Sequence, residues 1–548
     1  TYQMGINNSV TGLGTQGNAI DYSVNFNTSF VADDHKSGIA IYGFTRNRGM
    51  YDANNDGLSE ISPMNNLTVG TRFFYRFGHR NKMTFDFFNI KEEREGGNMQ
   101  DRPLHEREVA EAVGHDLKSA ALTFEQYTGK NDLLSIYVSS QFLDRDSYYG
   151  ANYSLADYGN SKDNTYNMGA HYKANLGNSS LVAGVENTSS LLKDEKLGFP
   201  DYENAQIVND TILSVPHTGN TLVADQSSIS TGIFAQYELK YKKFKMTLGG
   251  RYDYYEIKDY TKEDNALKSG NVFSPRVSVL YEIHKNLKAR ASYSQGYRAP
   301  QIFDEDLHIE TSRIRKVINV NDPGLKKETS HSFMTSLDFN GLIGTIYTGL
   351  LVESFYTRLL DPFVNKIGVP DENGVVKYLR KNADDGATVK GINIELKLKP
   401  LEYFTFNSGF TFQSSVYDVA QEFDEKRFPR TPNHYGFFAV DWDFYKNFCL
   451  STTGNYTGNM LVPYFGPGTD PDNGELRKSG NFFDSGVKLK YNIELKGVTI
   501  QCFGGLKNIF NSYQKDFDSG PDRDPAYMYG PVAPRTLYLG VKFGNLLD

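Results

Sequence analysis

Gly391-Ile392-Asn393-Ile394-Glu395-Leu396-Lys397-Leu398 is the stretch that decides the fold. Successive side chains of a strand point to opposite faces, so Ile392, Ile394, Leu396 and Leu398 share one face while Asn393, Glu395 and Lys397 share the other. The same period of two recurs outward in both directions. Val277, Val279, Tyr281 and Ile283 alternate with Arg276, Ser278 and Glu282, and Leu287, Ala289, Ala291 and Tyr293 with Lys288, Arg290, Ser292 and Ser294. Ile233, Ala235, Tyr237 and Leu239 alternate with Gln236, Glu238 and Lys240, and Leu537, Leu539, Val541 and Phe543 close the series. Short polar turns such as Lys242-Lys243 and His284-Lys285-Asn286 separate some neighbours. Other connections are expected to be long, among them Lys91 to His115, Asp146 to Asn167, Leu192 to Ser227, Gln301 to Lys327 and Gln413 to Arg430. Short turns at one end and long loops at the other describe a transmembrane antiparallel β-barrel.

Composition agrees with this reading by what it leaves out. The 548 residues carry a formal charge of -8, with 39% hydrophobic and 14% aromatic content, and the mean hydropathy is -0.51. A barrel needs an apolar residue only at every second position of its outer face, so its hydropathy stays low. The 37 Tyr, 37 Phe and single Trp442 can supply interface girdles. Nothing approaches the ~18 consecutive apolar residues of a membrane helix. The modest charge, with both signs spread along the chain, argues against nucleic acid. Cys449 and Cys502 are too few for a disulfide scaffold. A soluble β-sandwich also alternates, but its strands are usually shorter than runs such as Lys245 to Ile257.

Motifs for enzymatic chemistry fail on inspection. Gly12-Leu13-Gly14-Thr15-Gln16-Gly17 matches G-x-G-x-x-G, but Asp21 to Phe26 after it reads as a strand where a dinucleotide fold needs a helix. His105-Glu106 begins an H-E-x-x-H pattern whose second histidine position is Val109. There is no P-loop and no nucleophile elbow, and no enzyme is expected. Asp52-Ala53-Asn54-Asn55-Asp56-Gly57-Leu58-Ser59-Glu60 is different, because oxygen ligands at first, third and fifth positions followed by Gly are how a Ca²⁺ loop wraps a hard cation. Pro63 stands where an EF-hand places its bidentate Glu, leaving either a simpler Ca²⁺ loop of Asp52, Asn54, Asp56 and Glu60 or a polar hairpin tip. Loop carboxylates at Asp304, Glu305 and Asp306 and histidines at His105, His115, His217 and His308 read as solvated surface.

Ala291-Ser292-Tyr293-Ser294-Gln295-Gly296-Tyr297-Arg298-Ala299-Pro300 resembles the Y-R-A-P box of TonB-dependent outer-membrane receptors. Asn321 to Ser330 is similar to their N-P-x-L-x-x-E-x-S box with an inserted Asp, Leu506 to Asn511 to their penultimate-strand signature, and Pro534 to Phe543 to their closing strand. Phe85 to Ile90 with Gly96-Gly97 looks like the Bacteroidetes branch. Gly544 to Asp548 follow the terminal aromatic, a small departure from the family. Tyr2 to Asn7 looks like the first barrel strand, so residues 1–548 resemble the barrel domain without the N-terminal plug, TonB box and signal sequence of a full receptor. The family's barrel has about 22 strands, which allots about 25 residues to each strand with its connection.

The resemblance implies a place in the outer membrane of a Gram-negative bacterium and uptake of a scarce, bulky nutrient, driven by the TonB complex through the plug. Cobalamin is the first expectation, supported by a Ca²⁺-ordered loop; haem, with His308 between the two boxes as its ligand, and ferric siderophores are the alternatives. Lumen-facing Arg276, Glu282, Arg290 and Lys397 would face the plug. Outer-membrane lipid or lipopolysaccharide and a surface lipoprotein are expected partners. A passive porin and a soluble carbohydrate-binding β protein are the readings from other classes.

Overall fold

A computed structural model describes residues 1–15, 17–129, 131–208, 211–261, 266–302, 307–470 and 473–545. Twenty-two antiparallel strands form one closed sheet, each paired with the strands before and after it in the wall. The last strand, Thr536–Gly544, returns to the first, Tyr2–Thr11, with Gln3 opposite Gly544 and Thr11 opposite Thr536. Closure satisfies every strand's backbone groups within the sheet, which is the condition for crossing a lipid bilayer with strands. The barrel expected from the sequence is the observed fold.

The two faces divide as the alternation requires. Ile392, Ile394, Ile233, Tyr237, Leu539 and Val541 all stand exposed on the outer face. Their cross-strand partners share that face, as in Val277 opposite Tyr293 and Val279 opposite Ala291. Arg276, Glu282, Arg290 and Lys397 therefore point into the lumen. Trp442, Phe444, Phe448 and Tyr491 form an aromatic chain near the short-turn end, with ring centroids 4.3 to 6.0 Å apart.

The short turns sit at the end that also carries the first and last described residues, where the Tyr2 amide donates to Asn545 Oδ1 at 2.8 Å. Two-residue loops join Tyr241 to Phe244 and Ile343 to Ile346. Such loops need left-handed backbone, supplied by Lys242 (φ 51) and Gly344 (φ 61).

At the other end the structure corrects the expected connections. Strands Asn81–Gly97 and Val109–Thr128 are joined by residues 98–108 only, so most of the expected Lys91 to His115 loop is strand. Asp132–Ala151 and Tyr158–Asn175 likewise absorb most of the Asp146 to Asn167 segment. Ser179–Lys196 and Thr221–Tyr241 shorten the Leu192 to Ser227 loop, and Phe404–Tyr417 shortens the Gln413 to Arg430 loop. The cause is physical: beyond the apolar band both faces become polar, so the alternation that announces a strand fades while backbone pairing continues. No wall strand extends into the Gln301 to Lys327 connection, since the flanking wall strands end at Arg298 and resume at Glu328.

Above the wall the long loops fold into a crown. Glu310–Thr311, Lys316–Asn321, Val375–Asn382 and Phe363–Ile367 make a separate four-stranded sheet from two connections, 299–327 and 361–386. The burial lies here: Tyr51, Leu58, Val376 and Val462 are all at most 1% exposed. Met460, Val462, Tyr464 and Tyr527 form one such cluster.

Candidate functional site in the crown

Residues 307–327, in the connection after strand Leu287–Arg298, reach strands Val109–Thr128 and Asp132–Ala151. The Thr311 amide donates to Glu111 Oε1 (2.8 Å), and His308 Nδ1 lies 3.2 Å from the Tyr149 hydroxyl. Lys316 Nζ reaches Asp157 at 2.6 Å, which Lys196 also meets at 2.9 Å. Burial alone would raise the Asp157 carboxyl, but the two ammonium groups outweigh it and hold the group below its ordinary value. Arg313 is the crossbar: it forks onto Asp522 at 2.6 and 2.7 Å and reaches Glu108 at 3.2 Å. Sequence reasoning missed this lock, although Arg313, Arg315 and Lys316 in one loop and Asp516, Asp518, Asp522 and Asp524 in another form complementary charge runs.

The 508–535 loop ties the crown together. The Gly520 amide donates to Asp56 Oδ2 (2.7 Å), the Phe465 amide to Asp524 Oδ2 (2.8 Å), and Arg430 to the Ala526 and Met528 carbonyls. Burial raises the Glu310 carboxyl, with Asp524 and Glu111 adding to the shift, and burial raises Asp524 as well. Arg315, 7% exposed, packs its guanidinium 4.1 Å from the Phe465 ring and donates to the Tyr378 hydroxyl at 3.3 Å.

Between the 361–386, 418–433 and 458–481 connections lies a cavity of about 420 Å³. Phe363, Tyr378, Tyr417, Phe423 and Phe465 supply aromatic walls, and Arg298, Arg380, Arg427 and Arg430 supply guanidinium groups, with Glu310 among the acids. Arg298 stacks 5.7 Å from the Phe363 ring centroid, and Arg427 pairs with Glu425 at 2.6 Å. Phe423 has φ 63, an uncommon conformation for a bulky residue that is found where the surroundings hold it. Apolar walls with a few placed polar groups are the usual make-up of a small-molecule pocket.

Of the sequence-derived metal ligands, Asp52, Asp56 and Glu60 come together with carboxylate oxygens within 4.8 Å of one another. Asn54 instead turns its Oδ1 to accept from the Asp56 amide at 3.2 Å. The turn is built locally: Asp52 accepts from the Asn55 amide (2.6 Å) and the Gly57 amide (2.8 Å), while Asn55 (φ 62) and Gly57 (φ 86) take the left-handed backbone. A Tyr51–Ile61 bridge closes the base, and Glu60 Oε2 accepts from the Ala53 amide at 2.6 Å. Burial, reinforced by Asp56 and Asp52, pushes Glu60 up to about 7. Oxygen-only carboxylate clusters of this kind suit a hard cation. His308 stands apart from this cluster in the 299–327 connection, and His105 Nδ1 lies 3.0 Å from the Tyr158 hydroxyl. Asp304, Glu305 and Asp306 lie outside the described residues.

A closed 22-stranded wall, short turns at one end and a loop crown at the other can be set beside known proteins. A family model described as TonB dependent receptor-like, beta-barrel, matches residues 3–509. The chain belongs to this family. The TonB-dependent receptor barrel lies in the outer membrane, with the crown on the outside. The iron-regulated outer membrane virulence protein of Vibrio cholerae serotype O1 is 24% identical over 330 residues, 57% of this chain and 43% of that protein. The chain thus spans less than half the length of that relative in the match. The siderophore receptor PirA from Acinetobacter baumannii has TM-score 0.70 and 14% identity, covering 99% of this chain and 80% of its own. The FrpB iron transporter from Neisseria meningitidis has TM-score 0.68 and 13% identity over 99% and 81%. The copper transporter OprC has TM-score 0.71 and 12% identity over 98% and 80%. One fold therefore serves different cargoes, and likeness at this identity shows the fold alone.

Proposed function

We propose that this barrel belongs to a receptor that takes up a ferric siderophore across the outer membrane, energised by the TonB complex acting through a plug. The carrying observation is the crown cavity, where guanidinium groups and aromatic rings converge. Arginine forks match oxyanion ligands, and rings pack against planar chelator groups. The iron-named relatives support this choice over cobalamin, which was the first expectation from the sequence. The Asp52, Asp56 and Glu60 cluster is proposed to hold Ca²⁺ and so brace the 49–63 loop against the 508–535 loop through Asp56 and Gly520. Asp56→Ala is expected to lower Ca²⁺ affinity at least about tenfold, and an unchanged calcium titration contradicts that assignment.

The test is calorimetry of the full receptor with ferric catecholate and hydroxamate siderophores, haem and cobalamin. Siderophore binding that weakens about tenfold in Phe423→Ala supports the reading. Haem binding alone, abolished by His308→Ala, would move the assignment to a haem receptor. Cobalamin binding alone would overturn both.

A further inference from the structure

The lining of the crown cavity is satisfied on its basic side and unsatisfied on its acidic side. Arg427 already pairs with Glu425, Arg430 donates to the Ala526 and Met528 carbonyls, and Arg298 lies over the Phe363 ring. Among the acids of the lining, Glu422 is exposed to water, and Glu425 accepts from the Lys426 and Arg427 amides at 2.9 Å each. Glu310 differs from both. Its Oε2 is buried and has no hydrogen-bond partner among the described residues.

The backbone around Glu310 holds it in this position. Glu310 pairs with Val317 across a short strand pair, and the Thr311 amide is tied to Glu111 Oε1. Successive side chains of a strand point to opposite faces. The Thr311 side chain is buried on one face, and Glu310 takes the other, where it joins the cavity lining. Two more carboxyls bear on Glu310, those of Asp524 and Glu111, against Arg430 and His308. Both of those acids have donors: Glu111 accepts from Thr311, and Asp524 from the Phe465 and Ala526 amides.

A buried acceptor without a donor costs free energy that an incoming donor recovers, and a charged donor recovers most. An anionic group at this place would instead meet three carboxyls. Burial favours the neutral acid in the empty cavity, and an ammonium group at hydrogen-bond distance favours the carboxylate. We propose that the cavity takes a ferric chelate carrying a free ammonium group, with Glu310 as the acceptor for that group. The proposal rests on the siderophore reading above and narrows it to one chemical class.

The test is calorimetry of the full receptor with three ferric hydroxamate chelates: one with a free primary amine, its N-acetylated form and its N-methylated form. Wild type is expected to bind the amine about tenfold more tightly than the acetylated chelate, the worth of one charge-assisted hydrogen bond. The N-methylated chelate, which keeps the charge, should bind like the parent. Glu310→Gln should erase the preference and leave affinity for the acetylated chelate unchanged, whereas Glu203→Gln, an exposed acid in the 197–220 connection, should keep the preference. Equal binding of amine and acetylated chelates by wild type overturns the proposal and leaves the siderophore reading standing. Methylated and acetylated chelates weakened alike would also overturn it, because the site would then read size and not charge. Binding of none of the three defeats the siderophore reading for hydroxamates and this proposal with it.

Discussion

The wall and the crown of this barrel obey opposite rules with the same residue types. In the wall, Ile233 and Leu539 are each 59% exposed, and the strands are held by an unbroken backbone ladder. In the crown, Tyr51 and Val462 are almost fully buried, and loops distant in sequence are held by packing and charged crossbars. The difference teaches what each region has for solvent. Lipid is as apolar as Ile233, so the wall gains nothing by hiding that residue and depends on satisfying its amides and carbonyls. Water surrounds the crown, so burying rings there is favourable in the ordinary way.

The comparison breaks most visibly at Tyr51. Tyr51→Ala removes a buried ring and its hydroxyl contact to Thr15 at 3.1 Å. It is expected to lower the opening free energy of the 49–63 loop by about 3–5 kcal/mol, read by hydrogen exchange, with strand protection unchanged. Unfolding of the whole barrel together with the loop would show that wall and crown are one cooperative unit. In the wall, Ile233→Arg should cost about 2–4 kcal/mol in a denaturant titration in vesicles. Gln236→Arg on the lumen face of the same strand should cost little, and equal costs would contradict the assignment of faces.

Smaller effects sharpen the crown's side. Arg313→Ala should make the 299–327 loop only modestly easier to cleave, since this pair is solvent-screened, and limited proteolysis within that loop is the readout. Glu60 supplies a pH test. Its folded pKa, raised to about 7, means that the folded loop binds the proton more tightly than the unfolded chain. That contribution is complete below the ordinary carboxylate value near 4.5 and is lost as pH rises through about 7. In calcium-free buffer, exchange protection of the 49–63 loop, corrected for the intrinsic rate, should therefore fall as pH rises from about 4.5 to about 7 and level off above that. Glu60→Gln should flatten that dependence.

The sequence made the wall legible and the crown mostly not. Gly391 to Leu398 shows its lumen and lipid faces directly because a bilayer imposes a period of two. Where strands such as Asp132–Ala151 rise beyond the lipid, Asp144, Arg145 and Asp146 are all charged, and a paired strand looks like a loop. The carboxylate trio Asp52, Asp56 and Glu60 was readable because its ligands lie within one turn. Contacts such as Thr311 to Glu111 or Gly520 to Asp56 join residues hundreds of positions apart and leave no local pattern. The cavity, assembled from connections far apart in the sequence, is invisible for the same reason.

The most direct test of the central claim is hydrogen exchange of the full receptor with and without a ferric siderophore that binds it. The account predicts new protection confined to the crown, in the 361–386, 418–433 and 458–481 connections that frame the cavity. Protection restricted to the wall strands or the short turns, with the crown unchanged, would contradict it.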